Sequence, residues 1–162
     1  MKPGKMCPAP PQQQNYRTDD TPYLEVPIAV NFHEVYVTIM HIPDRAQWMP
    51  GLQKVDQEIN DVFVGSTHQF TFSDYMATIS PLVMISGENK IIYAESCKIK
   101  EPDSSIVNEY IFKNTRENSC ALAVRFLNAS DIPIPEKIKL VLTESMQLMV
   151  QGLKQYLEKN KS

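Results

Sequence analysis

The sequence has few of the residues that build disulfide frameworks, metal sites and phosphate loops. It contains three cysteines and five glycines in 162 residues. Cys7, Cys97 and Cys120 are too few and too scattered for a disulfide framework or a metal cage, so we expect reduced thiols. No HExxH, CxxC, glycine-rich phosphate loop or GxSxG elbow is present. We therefore expect no metal and no other cofactor.

The chain also lacks a basic footprint and a long apolar run. Its formal net charge of −3 gives no electrostatic basis for binding nucleic acid. No apolar run reaches the roughly 18 residues that a membrane-spanning helix needs, and the N-terminus has no apolar block of the signal-peptide kind. We expect a cytoplasmic protein with no nucleic-acid partner and no stable membrane insertion. One globular domain and a monomer are the defaults for this composition.

The first 21 residues are rich in proline and glutamine and have almost no large apolar side chains. Such a composition cannot bury enough apolar surface to offset the entropy lost on ordering. We therefore predict a disordered tail over residues 1–21 and a folded domain over residues 22–160. A proline-rich docking peptide is the alternative for the tail, although no arginine flanks its PAPP segment.

The longest periodic segment is Glu136–Lys159, in which apolar residues recur every three or four positions between charged ones. This pattern is typical of an amphipathic helix. Pro135 at the first helical position, with the acidic Glu136 near the positive end of the helix dipole, favours a helix start here. At about 1.5 Å per residue the helix is roughly 36 Å long, which is enough to cross about seven strands.

A strand and a helix are predicted at the start of the domain. Residues 24–30 alternate between apolar and other residues, as a half-buried strand does. Pro27 cannot donate to a ladder and places this strand at an edge or a bulge. Asn31, with Glu34 three residues later, forms a capping-box pattern, so a helix starts there and ends before Pro43.

A second short helix and six strands follow. Asp44 is the predicted N-cap of this helix, which ends before a Pro-Gly turn. Clusters of turn residues then separate apolar segments, and links this short favour antiparallel hairpins. The whole order predicts an α+β fold in which helices cover one face of a seven-stranded antiparallel sheet. The six predicted strands are residues 52–59, 62–72, 75–85, 90–99, 105–113 and 119–128.

A family resemblance rests on three features of the sequence. They are this order of elements, the segment DRAQWMPG over residues 44–51 and the Gly65-Ser66 turn. Residues 21–159 resemble the START-like superfamily, also called the Bet v 1-like or polyketide cyclase/SRPBCC superfamily. The resemblance implies a helix-grip fold, in which a curved sheet wraps the C-terminal helix around an internal cavity for an apolar ligand. Members include lipid and sterol carriers, allergen-type binders, aromatase/cyclases, quinone-binding proteins and chaperone-ATPase activators, so the fold alone does not choose a function.

Strand alternation predicts which side chains face such a cavity. It places a few polar groups on the same face as apolar ones, which is the pattern of a ligand site. Trp48 is included because it precedes the turn where the cavity mouth is expected, and methionines because they give deformable walls. The predicted ligand-binding residues are Met40, Trp48, His68, Phe70, Tyr93, Glu95, Asn108, Tyr110, Met146 and Met149.

Each candidate also has a purely structural interpretation. His68 is either a proton-transfer or hydrogen-bonding group, or a histidine that is satisfied by a neighbour or lies at the rim of the sheet. Glu95 is a candidate acid or base if buried, and a solvated residue if a bulge at Pro81 shifts the alternation by one. Trp48 either stacks on a ligand or packs the short helices, and the methionines are pocket wall or ordinary core. Arg125 is predicted to face outward and pair with a surface carboxylate.

Three functions remain open on the sequence. The first is binding of a small hydrophobic or amphipathic ligand, such as a lipid, a polyketide or a quinone-like ring. The second is an aromatase/cyclase type of enzyme in which His68 or Glu95 moves protons. The third is a protein-interaction module that uses an exposed strand edge, like the chaperone-ATPase activators of the superfamily. An empty space between the long helix and the sheet favours the first over the third.

Overall fold

The computed structural model describes residues 23–56, 62–73, 75–99, 104–116, 118–129 and 133–159. These residues form a seven-stranded sheet, two α-helices and a short 3-10 helix. The predicted tail over residues 1–21 lies outside the described residues. The elements in chain order are β1 (Leu24–Ile28), α1 (Phe32–Met40), the 3-10 helix (Ile42–Gln47), β2 (Leu52–Val55), β3 (His68–Phe72), β4 (Met76–Ser86), β5 (Lys90–Ile99), β6 (Ser104–Arg116), β7 (Ser119–Asn128) and α2 (Glu136–Lys159).

The strands follow the order β1-β7-β6-β5-β4-β3-β2, and every neighbouring pair is antiparallel. Strands β2 to β7 therefore form a meander, and β1 pairs with the last strand at the far edge. The segment of α1 and the 3-10 helix carries the chain from one edge of the sheet to the other. This architecture confirms the predicted α+β helix-grip fold. Pro27 lies on the edge strand β1, opposite Ala121 of β7, where its missing N–H is tolerated.

The start of α1 follows the predicted cap, whereas the start of the next helix does not. The Asn31 side chain accepts a hydrogen bond of 2.9 Å from the backbone N–H two residues later, as an N-cap does. The 3-10 helix begins at Ile42, so the prediction that Asp44 caps it is wrong. Asp44 lies inside its first turn, and its carboxylate is 3.0 Å from Nδ1 of His41. Pro43 occupies an early helical position, where no backbone N–H is required.

Strand bounds match the prediction for β5 and β7 and differ elsewhere. The predicted third strand starts too early, because residues 62–67 form a turn instead. Gly65 has φ +99°, and the N–H of Ser66 bonds to the Phe63 carbonyl at 2.9 Å. Strand β2 ends at Val55, and residues 57–59 of its predicted range lie outside the described residues. Strand β1 ends two residues earlier than predicted, and β6 continues three residues further. Local turn chemistry therefore determines where the ladders stop.

Helix α2 is anchored to the sheet by its C-terminal half. Its N-terminal half exposes several large apolar side chains, among them Leu140, which is 66% exposed. The element neighbours of α2 in the sheet are β1 and β7. The apolar face of the helix is therefore fully used only towards its C-terminus. Its buried residues are Met146, Met149, Val150, Leu153 and Leu157.

Gly152 is the point where α2 packs closely on the turn that follows the 3-10 helix. A Cβ atom at this position would lie 2.3 Å from the backbone carbonyl oxygen of Trp48. Only glycine permits this approach of backbone to backbone. The contact fixes the C-terminal half of α2 against the Trp48 to Gly51 turn.

Candidate functional site

A cavity of about 360 Å³ lies between the sheet and α2. Strands β3 to β7 contribute one wall, and α2 with the turn after the 3-10 helix contributes the other. Most lining side chains are apolar or aromatic, and the polar ones include Glu95, Asn108 and Ser145. This volume is at the lower end of the range of about 300–1,000 Å³ that is typical of small-molecule sites.

The cavity opens beside the N-terminal half of α2. Ser145 and Leu148 of α2 line it and are exposed, and Leu148 is 56% exposed. Pro50 and Gly51 of the turn and Tyr75 of the β3–β4 connection also line it and are exposed. The mouth therefore lies between α2 and the Pro-Gly turn.

Arg45 and Glu95 form a buried ion pair at the cavity wall. Arg45 Nη1 donates to Glu95 Oε2 at 2.9 Å and Nη2 donates to Oε1 at 2.8 Å, and both side chains have 0% exposure. Arg45 Nε donates to the Ile39 carbonyl at 2.9 Å, and the guanidinium carbon lies 5.5 Å from the centroid of the Phe70 ring. Burial alone would lower the pKa of Arg45, but the carboxylate of Glu95 raises this pKa overall. The guanidinium therefore stays charged.

The carboxylate of Glu95 has partners on both oxygens besides Arg45. Tyr93 donates its hydroxyl to Oε1 at 2.7 Å, and the Asn108 side-chain NH₂ donates to Oε2 at 3.4 Å. Burial, and after it the charge of Glu95, raises the pKa of Tyr93, so its phenol remains a donor. An ionised carboxylate accepts about four hydrogen bonds, and these contacts use that capacity. Glu95 is therefore held in place by Arg45, Tyr93 and Asn108.

Asn108 has one satisfied and one unsatisfied end. Its NH₂ group points to Glu95, while its Oδ1 is buried and has no hydrogen-bond partner among the described residues. Asn108 lines the cavity and is 8% exposed. A residue of the cavity lining thus carries a buried acceptor that nothing in the described part of the chain satisfies.

His68 is satisfied on one ring nitrogen only. Its Nε2 is 3.0 Å from Oγ of Ser66, whose hydroxyl hydrogen is donated to the Phe63 carbonyl at 2.8 Å. Since Ser66 has a single hydroxyl hydrogen, Nε2 must carry the proton and Nδ1 must be the acceptor. Nδ1 is buried and has no hydrogen-bond partner among the described residues. Burial, then the charge of Arg45, lowers the pKa of His68, which keeps the ring neutral.

The structure brings four of the ten predicted ligand-binding residues to the cavity wall: Phe70, Glu95, Asn108 and Met149. The other six are Met40, Trp48, His68, Tyr93, Tyr110 and Met146, and they do not line this cavity. Of these six, Met40 is partly buried and the other five are buried. Four of the buried ones belong to the core that α2 packs against, namely Trp48, Tyr93, Tyr110 and Met146. Trp48, Tyr93 and Tyr110 pack in one core cluster with Met146, Val150 and Leu153 of α2. The binding role of all ten residues stays a prediction.

The structural expectations for single positions have mixed outcomes. A register shift does occur between Pro81 and Val83, yet Glu95 remains on the inner face with 0% exposure. Arg125 pairs as predicted with a carboxylate, that of Glu109 at 2.9 Å, although Glu109 is largely buried. His68 faces inward as predicted and is held by a neighbour.

Arg45 is the residue that sequence reasoning missed. It lies in the segment DRAQWMPG, which served there only as a fold marker. A signal was present, because a glutamate on the inner face of a strand needs a buried cation or several donors. Arg45 follows a proline-containing turn between the apolar Ile42 and Trp48, and both of these are buried.

Neither of the two described cysteines readily ionises. Cys97 and Cys120 are free, and burial raises the pKa of Cys97 to about 12 and that of Cys120 to about 11. Very little thiolate forms at neutral pH.

Within the described ranges, no three His, Cys, Asp or Glu residues are grouped so that they could hold a metal ion. Neither α1 nor α2 is long and apolar enough to cross a membrane.

Comparison with known proteins establishes the fold. No family model matches the chain, and no curated protein matches it. Among solved structures, a START superfamily protein from Mycobacterium smegmatis has a TM-score of 0.67 at 12% identity, covering 88% of this chain and 99% of that one. Ara h 8.0201 has a TM-score of 0.65 at 11% identity, covering 85% and 96%.

A third similar structure is DynU16, a protein in the dynemicin biosynthetic locus. It has a TM-score of 0.65 at 16% identity over 90% of this chain, and this chain matches 49% of its length. The chain therefore spans about half of DynU16. Together these similarities show that the protein has the START-like, Bet v 1-like fold that the sequence resemblance implies.

Proposed function

We propose that the protein binds a small hydrophobic or amphipathic molecule in the cavity between the sheet and α2. The observation that carries this proposal is the cavity of about 360 Å³ with its mainly apolar lining. Each 100 Å² of apolar ligand surface buried there contributes roughly 2.5 kcal/mol. A cavity of this kind stabilises a ligand without any covalent chemistry.

The mouth of the cavity supports the same function. Leu148 and Tyr75 expose apolar surface at the opening, where a ligand makes its first contact. Met49 and Met149 line the passage inward, and unbranched methionine side chains adapt to guests of irregular shape. A ligand therefore enters between α2 and the turn after the 3-10 helix, without unfolding the sheet.

The geometry of the polar residues favours binding over proton transfer. Glu95 is committed to Arg45, Tyr93 and Asn108, and His68 does not line the cavity. The open cavity likewise favours ligand binding over a purely protein-interacting role.

The test is a ligand panel of lipids, aromatic polyketides and quinones, measured by native mass spectrometry and by ¹H-¹⁵N spectra of the protein. Binding in the cavity is expected to shift the amide signals of Cys97, Ile106 and Leu148, which line it. The signals of Leu82 and Ile85, which are exposed and do not line it, serve as the internal control. A panel that adds no mass and shifts no cavity signal would exclude the proposed function.

A further inference from the structure

Asn108 lines the cavity and carries a buried hydrogen-bond acceptor, Oδ1, that has no partner among the described residues. Its side-chain NH₂ lies 3.4 Å from Glu95 Oε2. An amide oxygen in that place would face a carboxylate oxygen, so the contact determines the orientation of the amide. Oδ1 is then the free end, and it is buried without a hydrogen-bond partner among the described residues.

A buried acceptor without a partner is unfavourable, and the large majority of such atoms in folded proteins find one. A ligand that donates a hydrogen bond to Oδ1 removes this penalty. A ligand of the same shape without a donor leaves the penalty in place. The cavity therefore distinguishes between two ligands that bury the same apolar surface.

The charges at the cavity wall add a second restriction. Glu95 contributes a carboxylate to the lining, and the described lining residues include no lysine, arginine or histidine. The cation next to Glu95 is Arg45, whose guanidinium is bound to Glu95 and to the Ile39 carbonyl and has no exposed surface. An anionic ligand would lose its hydration there and find no free counter-ion among the described lining residues.

We propose that the ligand is an uncharged hydrophobic molecule whose hydroxyl or N–H group donates a hydrogen bond to Oδ1 of Asn108. This inference rests on the proposed function, because it concerns the occupant of the same cavity. It narrows the ligand class to hydrophobic alcohols, phenols and amides. Fatty-acid anions are expected to bind more weakly than the corresponding alcohols.

Matched probes test this inference directly. One pair is 2-naphthol and 2-methoxynaphthalene, and the other is 1-decanol and methyl nonyl ether, with decanoate as the anion. Calorimetry on the full chain is expected to show each donor binding at least about fivefold more tightly than its ether. Decanoate is expected to bind more weakly than 1-decanol.

The Asn108→Leu variant has a side chain of similar size and no acceptor. It is expected to bind each donor and its ether with equal affinity. Asn114→Leu is the matched control, because Asn114 lies on the same strand, is exposed and does not line the cavity. This control should keep the wild-type preference. If Asn108→Leu does not fold, the ¹³Cγ chemical shift of Asn108 in the wild-type protein tests the contact instead. This chemical shift should change when 2-naphthol is added and should not change when 2-methoxynaphthalene is added.

The outcomes separate the two proposals. Equal binding of donors and ethers to the wild-type protein, or a preference that survives in Asn108→Leu, overturns the assignment of Asn108 and leaves the apolar cavity as a binding site. Failure of every probe to bind overturns the proposed function and this inference together.

Discussion

Arg45 and Glu95 are 50 positions apart in the chain, and their side chains meet in a two-pronged ion pair at 2.8 and 2.9 Å. Arg45 belongs to the 3-10 helix that leads to the cavity mouth, and Glu95 belongs to β5 and lines the cavity. The pair therefore connects the mouth to the sheet. Stability of the fold and shape of the cavity depend on the same contact.

Removing Arg45 should destabilise the protein strongly. Arg45→Met leaves the carboxylate of Glu95 buried without its cation, so we expect the free energy of unfolding to fall by about 3–5 kcal/mol. The double variant Arg45→Met/Glu95→Leu should lose less than Arg45→Met alone, because no charge is left unpaired. Urea unfolding measures both.

Arg125→Met is the control for this prediction, because it breaks the ion pair between Arg125 and Glu109. The Arg125 side chain is 24% exposed in that pair, whereas Arg45 is fully buried. Arg125→Met should cost less than Arg45→Met, because water can reach the broken pair. If Arg45→Met were as stable as the wild type, the buried pair would have no role in holding the 3-10 helix.

Filling the cavity should abolish ligand uptake. Met149 lines the cavity and is 8% exposed, so Met149→Trp directs a larger ring into the ligand space. We expect loss of binding in native mass spectra with a melting temperature close to that of the wild type. Leu140→Trp, at a 66% exposed position of the same helix, should bind normally. Undiminished uptake by Met149→Trp would place the ligand elsewhere.

Gly152→Ala should destabilise the protein although alanine favours helices by about 1 kcal/mol over glycine. The added Cβ would lie 2.3 Å from the Trp48 carbonyl oxygen, so α2 or the turn must shift. Overpacking of this kind costs about 1–3 kcal/mol. Chemical denaturation should show a net loss, whereas Gln151→Ala, at an exposed neighbouring position, should be neutral or slightly stabilising. A Gly152→Ala protein more stable than the wild type would rule out this close approach.

Acid should destabilise the protein through His68. The pKa of His68 is lowered by burial and then by Arg45, against the raising effects of Glu95 and Asp56. The unfolded chain therefore takes up this proton first, at about pH 6.5. Stability that is present above this pH is lost as the pH falls towards the lower pKa of the folded state.

Thermal melts of the wild type and His68→Gln between pH 7.5 and 5 check this prediction. On acidification, the melting temperature of the wild type should fall further than that of His68→Gln. In a chain of this size, each 1 kcal/mol of lost stability lowers the melting temperature by roughly 2–4 °C. The exposed His33→Gln variant should follow the wild type. Parallel curves for wild type and His68→Gln would contradict the role assigned to His68.

Alternation along the strands predicted the inner face of the sheet well. Glu95 and Asn108 were assigned to it from sequence, and both are buried on it. This succeeded because a strand that buries one face has a period of two, and the bulge at Pro81 lies on the neighbouring strand β4 and not on β5. The α+β class followed from the same pattern together with the order of elements, and the helix-grip fold followed from the family resemblance.

The extent of the cavity could not be predicted in this way. Tyr93 shares a face with Glu95, yet only Glu95 lines the open part, because the anchored half of α2 fills the rest. Alternation determines a face and not the distance to the helix above it. Arg45 escaped notice for a related reason, since a 3-10 helix of six residues has no periodic pattern that marks a side chain as inward.

The pairing of β1 with β7 makes completion of the sheet a late event in synthesis. Leu24 pairs with Val124, which follows it by 100 positions. A chain leaving the ribosome therefore holds β1 without this partner until β7 has been made, and closing so long a loop slows folding. A nascent chain arrested before residue 119 presents that strand to chaperones.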